Sequence, residues 1–176
     1  MATFEVGDET WRRGDFALLQ NGHVVLFWGP EVLASTVAGL STLGYRVVQL
    51  DAGTWETSRI MHERLAAALS FPDYYGHNMD ALHDCLGDVA RYDYGSDREA
   101  EGLVLVPDGY DAFAQKERRD AEVLTDIFAT VARQALLFGH RMLCLLRVDD
   151  VRFTLPPTGA TPVLWNPQEW LDGARR

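Results

Sequence analysis

Apolar and polar residues follow one another along this chain in blocks that predict alternating strands and helices. Three short apolar runs, residues 45–50, 102–107 and 142–148, have the length and the β-branched content of buried strands. The longer segments between these runs carry apolar residues at every third or fourth position, as amphipathic helices do. The resulting β-α-α-β-α-α-β order predicts an α/β fold with a small parallel sheet and right-handed crossovers.

The first 44 residues predict an extension of this core. Residues 16–20 and 23–28 have the composition of strands and flank Asn21-Gly22, which is the strongest short signal for a β-hairpin. Pro30 then favours the start of a helix that runs to about residue 43. The expected extension is therefore a β-hairpin followed by a helix.

Length and composition are those of a soluble globular protein. Of the 176 residues, 47% are hydrophobic and 24% are charged, a balance typical of a chain with a real core. We expect a single domain over residues 1–176. It would consist of the hairpin and helix extension at 1–44, the core at 45–148 and an irregular C-terminal arm at 149–176.

A loop and a helix at residues 71–86 carry the most distinctive pattern. Pro72 and Gly76 predict a tight turn, and Asn78 is a favourable N-cap for the helix that follows. From Met79 onward, apolar residues recur at helical spacing and define one buried stripe.

The opposite side of that helix is acidic. Asp80, Asp84 and Asp88 lie four residues apart, and His77 and His83 flank them. Like charges at this spacing destabilise a helix by roughly 0.2–0.5 kcal/mol per pair, so the pattern requires an explanation. Acids near a helix N-terminus complement the helix dipole, which explains Asp80 but not Asp88.

Two interpretations of the acidic side remain open at this point. One is a solvated face with no further role. The other is a docking surface for a basic protein, because aromatic side chains beside the charges would supply flat contact area. The residues that would do so are Tyr74, Tyr75 and His83.

Net charge favours a protein partner over a nucleic acid. The formal charge of −10 and the pI near 4.8 would repel phosphates, whereas they would accelerate the approach of a basic protein. Acidity that serves solubility alone is the competing interpretation.

The two cysteines lie in apolar segments, which favours buried thiols over a disulfide between Cys85 and Cys144. The chain does not open on a basic region followed by an apolar run, and no stretch approaches 18 continuous apolar residues. We therefore expect a cytoplasmic protein without a secretion signal or a membrane span.

Residues 72–86 read PDYYGHNMDALHDCL, and this string resembles the inhibitory loop and helix of the barstar-like family of intracellular ribonuclease inhibitors. The resemblance extends less closely over roughly residues 45–147. It implies the same small α/β fold, and a non-enzymatic protein that needs no cofactor. It also implies a 1:1 complex between a monomer and a basic, secreted microbial ribonuclease of the guanyl type, which would protect the producing cell.

The resemblance also implies roles for single residues. Asp84 would take the place of the substrate phosphate in the basic cleft of the enzyme, and Asp80 would make a second contact there. Tyr74 would pack its ring against the nuclease, and the backbone at Gly76 would approach it closely. The full predicted contact set is Tyr74, Tyr75, Gly76, His77, Asn78, Asp80, His83 and Asp84.

Two departures from the family pattern bear on the target. His83 stands where the family has Trp, and an acid on a later helix has no clear counterpart, with Thr130 nearest in a rough alignment. The alternative function is therefore a barstar-fold interaction module for another basic partner or toxin.

Enzymatic alternatives rest on the same residues. A metal site could draw on His77, Asp80, His83 and Asp84, although no ligand from a distant segment is evident. A hydrolase with paired carboxylates would need two carboxyls in different environments, whereas Asp80 and Asp84 look alike. No Gly-rich phosphate loop follows a predicted strand. His23, His62 and His140 are interpreted as ordinary surface or packing residues.

Overall fold

The computed structural model describes residues 4–7, 9–171, 173 and 175. Within these residues the chain forms a five-stranded sheet in which every pair of neighbouring strands runs parallel. The order across the sheet is β2-β3-β4-β1-β5. The strands are β1 (Val24–Phe27), β2 (Arg46–Asp51), β3 (Gly102–Asp108), β4 (Arg141–Arg147) and β5 (Leu164–Trp165).

Six α-helices cover the sheet within the described part of the chain. They are α1 (Gly14–Gln20), α2 (Pro30–Thr42), α3 (Ser58–Leu69), α4 (Met79–Ala90), α5 (Tyr110–Lys116) and α6 (Arg118–Leu137). None of these helices is long and apolar enough to cross a membrane.

Strand order places the helices on two faces. The chain passes from β1 to β2 in one direction across the sheet and returns through β3 to β4 in the other. Because crossovers are right-handed, α2 lies on the opposite face from α3 to α6. The buried residues separate accordingly: Leu103 and Leu105 of β3 pack with the helices of one face, and Val104 and Val106 with those of the other.

The predicted α/β core is confirmed. The two helix pairs lie between the three predicted strands, and all three of those strands are consecutive in one parallel sheet. The helix predicted from Pro30 is also present, and the chain leaves it through Gly44 in the left-handed region at φ 93°.

The predicted N-terminal hairpin is wrong. Residues 14–20 form α1, and β1 pairs in parallel with β4 and β5 instead of turning back on residues 16–20. All four residues of β1 are buried, so this strand belongs in the interior of the sheet. Asn21-Gly22 ends a helix: Asn21 N donates to Leu18 O at 3.0 Å, and Gly22 takes a φ of 118°.

Helix α1 forms because its buried side depends on residues far away in sequence. Leu18 packs into the core, and the carboxylate of Asp15 is fully buried. That carboxylate accepts hydrogen bonds from Arg13 at 2.8 Å and from the Tyr45 hydroxyl at 2.7 Å. These hydrogen bonds hold the pKa of Asp15 below its usual value, although burial opposes them.

The C-terminal arm is mostly irregular, as expected, and adds one short strand to the edge of the sheet. Its two-residue strand β5 lies beside β1, and Thr158 and Thr161 form an isolated antiparallel bridge. In the part of the arm that precedes β5, Thr158 O accepts a hydrogen bond of 3.2 Å from Arg133 of α6. The arm is therefore tied both to the sheet and to α6.

Candidate partner-binding surface

A short loop at residues 70–78 joins α3 to α4 and is stabilised from within. Ser70 ends α3 in the left-handed region, and Tyr75 N donates to Pro72 O at 2.9 Å. The rings of Phe71 and Tyr75 meet edge to face with centroids 4.9 Å apart. The loop turns Tyr74 outward, with 82% of that residue exposed.

Tyr75 lies inside the core, which contradicts its expected place on the surface. Only 5% of the residue is exposed, and its hydroxyl shares a hydrogen bond of 2.5 Å with Nδ1 of the buried His62. Burial raises the pKa of Tyr75, and burial together with the charge of His77 lowers the pKa of His62. Both groups therefore stay neutral near pH 7. Their hydrogen bond attaches the loop to α3 on the buried side.

Helix α4 begins as the sequence predicts. Asn78 Oδ1 accepts a hydrogen bond of 2.9 Å from Ala81 N, so Asn78 is the N-cap. Its amide Nδ2 lies 3.3 Å from Gly76 O. A Cβ at residue 76 would come within 3.0 Å of that Nδ2, so Gly76 leaves room for the cap. His77, just before the cap, takes an unusual φ of 50° and is exposed.

The buried side of α4 anchors the helix to the core. Five side chains of this helix pack into the interior, and α4 lies along α6. The side chains are Leu82, Cys85, Leu86, Val89 and Ala90. Because the helix is capped and packed, the orientation of its outer side chains is determined before any partner arrives.

The three acids of α4 have two different environments. Asp88 accepts hydrogen bonds from Arg91 and, at 2.8 Å, from the Tyr94 hydroxyl, so its carboxylate stabilises the end of the helix. The Asp84 side chain is 85% exposed, and His83 Nδ1 lies 3.7 Å from its Oδ1. Among the described residues, neither Asp80 nor Asp84 pairs with an Arg or a Lys. Of the three acids of α4, Asp80 and Asp84 are thus the two available for an external cation.

Seven exposed side chains lie within a short part of the chain, residues 73–84. From Asp73 to Asp84 they comprise three acids, one tyrosine ring, two histidines and the amide of the cap. The members are Asp73, Tyr74, His77, Asn78, Asp80, His83 and Asp84, and we call this stretch the acidic surface. Its chemistry suits a basic partner with hydrogen-bond donors.

The alternative metal site finds no support in the described part of the chain. No group of three or more His, Cys, Asp or Glu side chains there is placed to hold a metal ion. Cys85 and Cys144 are both free and buried, and burial raises the pKa of the Cys144 thiol.

Sequence reasoning missed His62 as a part of the site. Its position in α3 gave no sign that its ring would meet Tyr75, 13 residues later. Thr130, the residue nearest in alignment to the later-helix acid of the family, accepts a hydrogen bond of 3.0 Å from Arg133. That part of α6 serves the attachment of the C-terminal arm through Arg133.

Comparisons with known proteins point to one family. The sequence model of the barstar family, described as barnase inhibitor, matches residues 45–147, which is more than half of the chain. A Bacillus subtilis (strain 168) protein named "Putative ribonuclease inhibitor YrdF" is 46% identical over 41 residues. That alignment covers 23% of this chain and 45% of the relative, so less than half of the relative is matched. The match over the strands, the loop and the acidic helix shows that this chain belongs to the barstar (barnase inhibitor) family.

Proposed function

We propose that this protein inhibits a ribonuclease by inserting Asp84 into the phosphate-binding part of the active site. The observation that carries the proposal is the state of Asp84: an exposed carboxylate on a packed, capped helix, without an internal Arg or Lys partner. Within the described part of the chain, no hydrogen bond or ion pair with an Arg or Lys side chain has to be broken before this carboxylate can meet an enzyme.

The chemistry follows from what a ribonuclease must bind. Its active site offers Arg, Lys and His side chains to a phosphate, and a carboxylate can accept the same charge-assisted hydrogen bonds. The complex blocks the enzyme because the inhibitor occupies the site without presenting a bond to cleave. By this mechanism the protein acts as a non-enzymatic inhibitor and needs no cofactor.

The rest of the acidic surface would define the edges of the contact. Asp80 would meet a second basic group, and the ring of Tyr74 would lie against the enzyme. The backbone at Gly76 and the side chains of His77 and His83 would complete the surface. Tyr75 would act indirectly, because its bond to His62 keeps the loop in place.

The nature of the enzyme is the finer part of the proposal. We infer a basic, secreted microbial ribonuclease of the guanyl type, bound 1:1 by a monomer inside the producing cell. The family description supports a barnase-type target, and the formal charge of −10 would accelerate association with a basic enzyme. Two free, buried cysteines suit a reducing compartment.

His83 supplies the observation that favours a second candidate. Its ring is smaller than the Trp expected from the family resemblance, and its side chain is 46% exposed beside Asp84. A contact with less apolar area suits a partner other than a barnase-type enzyme. The second candidate is thus the same fold and surface directed at another basic protein or toxin.

The decisive experiment is titration of the protein against a panel of guanyl-specific microbial ribonucleases while RNA cleavage is followed. Stoichiometric inhibition of one enzyme supports the proposal if it is lost in Asp84→Asn. The matched control is Glu31→Gln, an exposed acid in the first turn of α2 on the other face of the sheet, and it should inhibit normally. Inhibition that survives Asp84→Asn would refute the proposed role of Asp84. A folded protein that inhibits none of the enzymes would favour the second candidate.

A further inference from the structure

A cavity lies on the face of the sheet opposite the acidic surface. It has a volume of about 330 Å³, is open to solvent on one side, and is lined by residues of α1, of α2 and of the C-terminal arm at 166–168. Leu18, Phe27 and Leu40, which line it, belong to the cluster of buried residues on the α1 and α2 face. Helix α4 packs into the cluster of the other face. The cavity is therefore separate from the proposed ribonuclease contact.

Every residue that lines the cavity lies outside the segment matched by the barstar family. The lining residues fall within 14–43 and 166–168, whereas the family match covers 45–147. The cavity is thus made by the two ends of the chain together. The family relationship assigns no role to these ends.

The chemistry of the lining is neutral and mainly apolar. Among the residues that the structure describes, no charged one lines the cavity, although 24% of the chain is charged. Its polar groups include the hydroxyls of Ser35 and Thr36 and the amide of Gln168. The Thr36 hydroxyl donates to Val32 O at 2.9 Å, so its oxygen can still accept a hydrogen bond.

Two glycines, Gly14 and Gly39, line the cavity, and neither is required by contacts with neighbouring atoms. Gly39 lies inside α2, where glycine destabilises a helix relative to alanine. A Cβ added at Gly39 or at Gly14 would meet nothing within 4 Å. Neither glycine is therefore required for close contact between helices, and an alanine at either position would reduce the cavity.

The wall supplied by the arm is held by hydrogen bonds of the buried residues Asn166 and Glu169. Asn166 N donates to Leu26 O at 2.9 Å, and Asn166 Oδ1 accepts from Gln168 N at 3.0 Å. The carboxylate of Glu169, only 2% exposed, accepts from Trp28 N at 2.9 Å and from Gly29 N at 2.6 Å. These bonds attach the arm to β1 and to the turn between β1 and α2.

We propose that this cavity binds an uncharged, largely apolar small molecule that carries one or two hydrogen-bonding groups. Its volume lies within the range of roughly 300–1,000 Å³ typical of ligand pockets, and its lining has the usual mixture of apolar walls and a few polar groups. A charged ligand would find no opposite charge among the described residues of the lining. The ends of the chain would then serve as a ligand-binding element joined to the barstar-type core.

Indole is a suitable probe because it is neutral, apolar and carries one N–H donor. Titration of the full-length, ¹⁵N-labelled protein with indole should give saturable shifts of backbone amide signals at Ala17, Gly39 and Gln168. Signals of α4 should not move. The melting temperature should rise with indole concentration, because the ligand binds only the folded state.

Variants separate a specific site from general association. Gly39→Leu fills the cavity from α2, and Ala17→Leu fills it from α1; each should abolish the saturable shifts. The matched control is Ala67→Leu on the exposed side of α3, which should bind indole as the unmodified protein does. Absent or non-saturating shifts in the unmodified protein would overturn the proposal. Equal shifts in both cavity-filling variants would overturn it as well.

Discussion

The hydroxyl of Tyr75 and Nδ1 of His62 lie 2.5 Å apart inside the core and connect the loop before the acidic helix to α3. Both groups are buried, so neither can exchange this partner for water without a movement of the loop. The rigid presentation of Tyr74 and of the helix start therefore depends on a residue of an earlier helix.

Removal of the Tyr75 hydroxyl should destabilise the protein. In Tyr75→Phe the buried His62 Nδ1 loses its partner, and we expect the free energy of unfolding to fall by about 1–3 kcal/mol. Urea denaturation measures this change. Tyr74→Phe is the matched control and should leave stability unaltered, because Tyr74 is exposed. Equal stability of both variants would show that the Tyr75–His62 bond contributes nothing.

Asp88 and Asp84 should respond oppositely to substitution. Asp88→Ala removes hydrogen bonds to Arg91 and Tyr94, so we expect a loss of about 1–2 kcal/mol in the free energy of unfolding. Asp84→Ala removes an exposed side chain and should change stability by less than about 0.5 kcal/mol. Thermal or urea unfolding distinguishes the two. If Asp84→Ala unfolds the chain, Asp84 has a structural role and the proposed contact is misassigned.

Stability should fall as the pH drops from about 6.5 toward 5. Burial lowers the pKa of His23, His62 and His140 in the folded state, whereas in the unfolded state each titrates near its ordinary value of about 6.5. The unfolded chain then binds more protons over this range, so the free energy of unfolding decreases with falling pH. Asp15, whose pKa is lowered, acts only at still more acidic pH, because its ordinary value is 3.8.

His140 offers the clearest check on this pH dependence. Its Nδ1 bonds Ala90 O at 3.0 Å and its ring stacks on Tyr92, while Nε2 is buried without a hydrogen-bond partner in the described residues. If the ring became doubly protonated, the N–H at Nε2 would have no hydrogen-bond acceptor among the described residues, and the buried positive charge would be unfavourable. His140→Gln should therefore flatten the decline in stability between pH 6.5 and 5, measured by urea denaturation at each pH. His83→Gln, on the exposed side of α4, should leave the decline unchanged.

Glu169 should be the main attachment of the C-terminal arm. Glu169→Ala leaves the N–H groups of Trp28 and Gly29 without their partner, and we expect a loss of about 1–3 kcal/mol in the free energy of unfolding. Limited proteolysis should cut this variant faster within residues 149–171. An arm that resists proteolysis equally in both proteins would mean that β5 and Asn166 suffice to hold it.

Salt should slow formation of the proposed complex. If acids of the acidic surface steer a basic ribonuclease, the association rate constant will fall as ionic strength rises from about 0.01 M to 1 M, because the Debye length shortens from about 30 Å to 3 Å. Stopped-flow fluorescence measures association and dissociation separately, and the dissociation rate should change far less. An association rate independent of salt would exclude electrostatic steering.

Local patterns in the sequence were sufficient for the core of the fold. Apolar runs buried on both faces predicted β3 and β4, helical periodicity predicted α4 and α6, and Asn78 was recognised as a cap. These features succeed because helical periodicity, an N-cap and an unbroken apolar run are patterns of neighbouring residues, although the strands themselves pair with distant segments. The family resemblance likewise rests on one continuous string of residues, 72–86.

Tertiary structure decided what depends on residues far apart in sequence. Asn21-Gly22 is a local hairpin signal, but the burial of β1 between β4 and β5 and the bond from Tyr45 to Asp15 made the preceding segment a helix. Burial of Tyr75 depends on His62, and the cavity depends on segments separated by more than a hundred residues. The sequence by itself predicted the strands and helices of the core and the acids Asp80 and Asp84 on the outer side of α4. Only long-range packing determined which side chains remain exposed on the acidic surface, because burial is a property of the assembled fold.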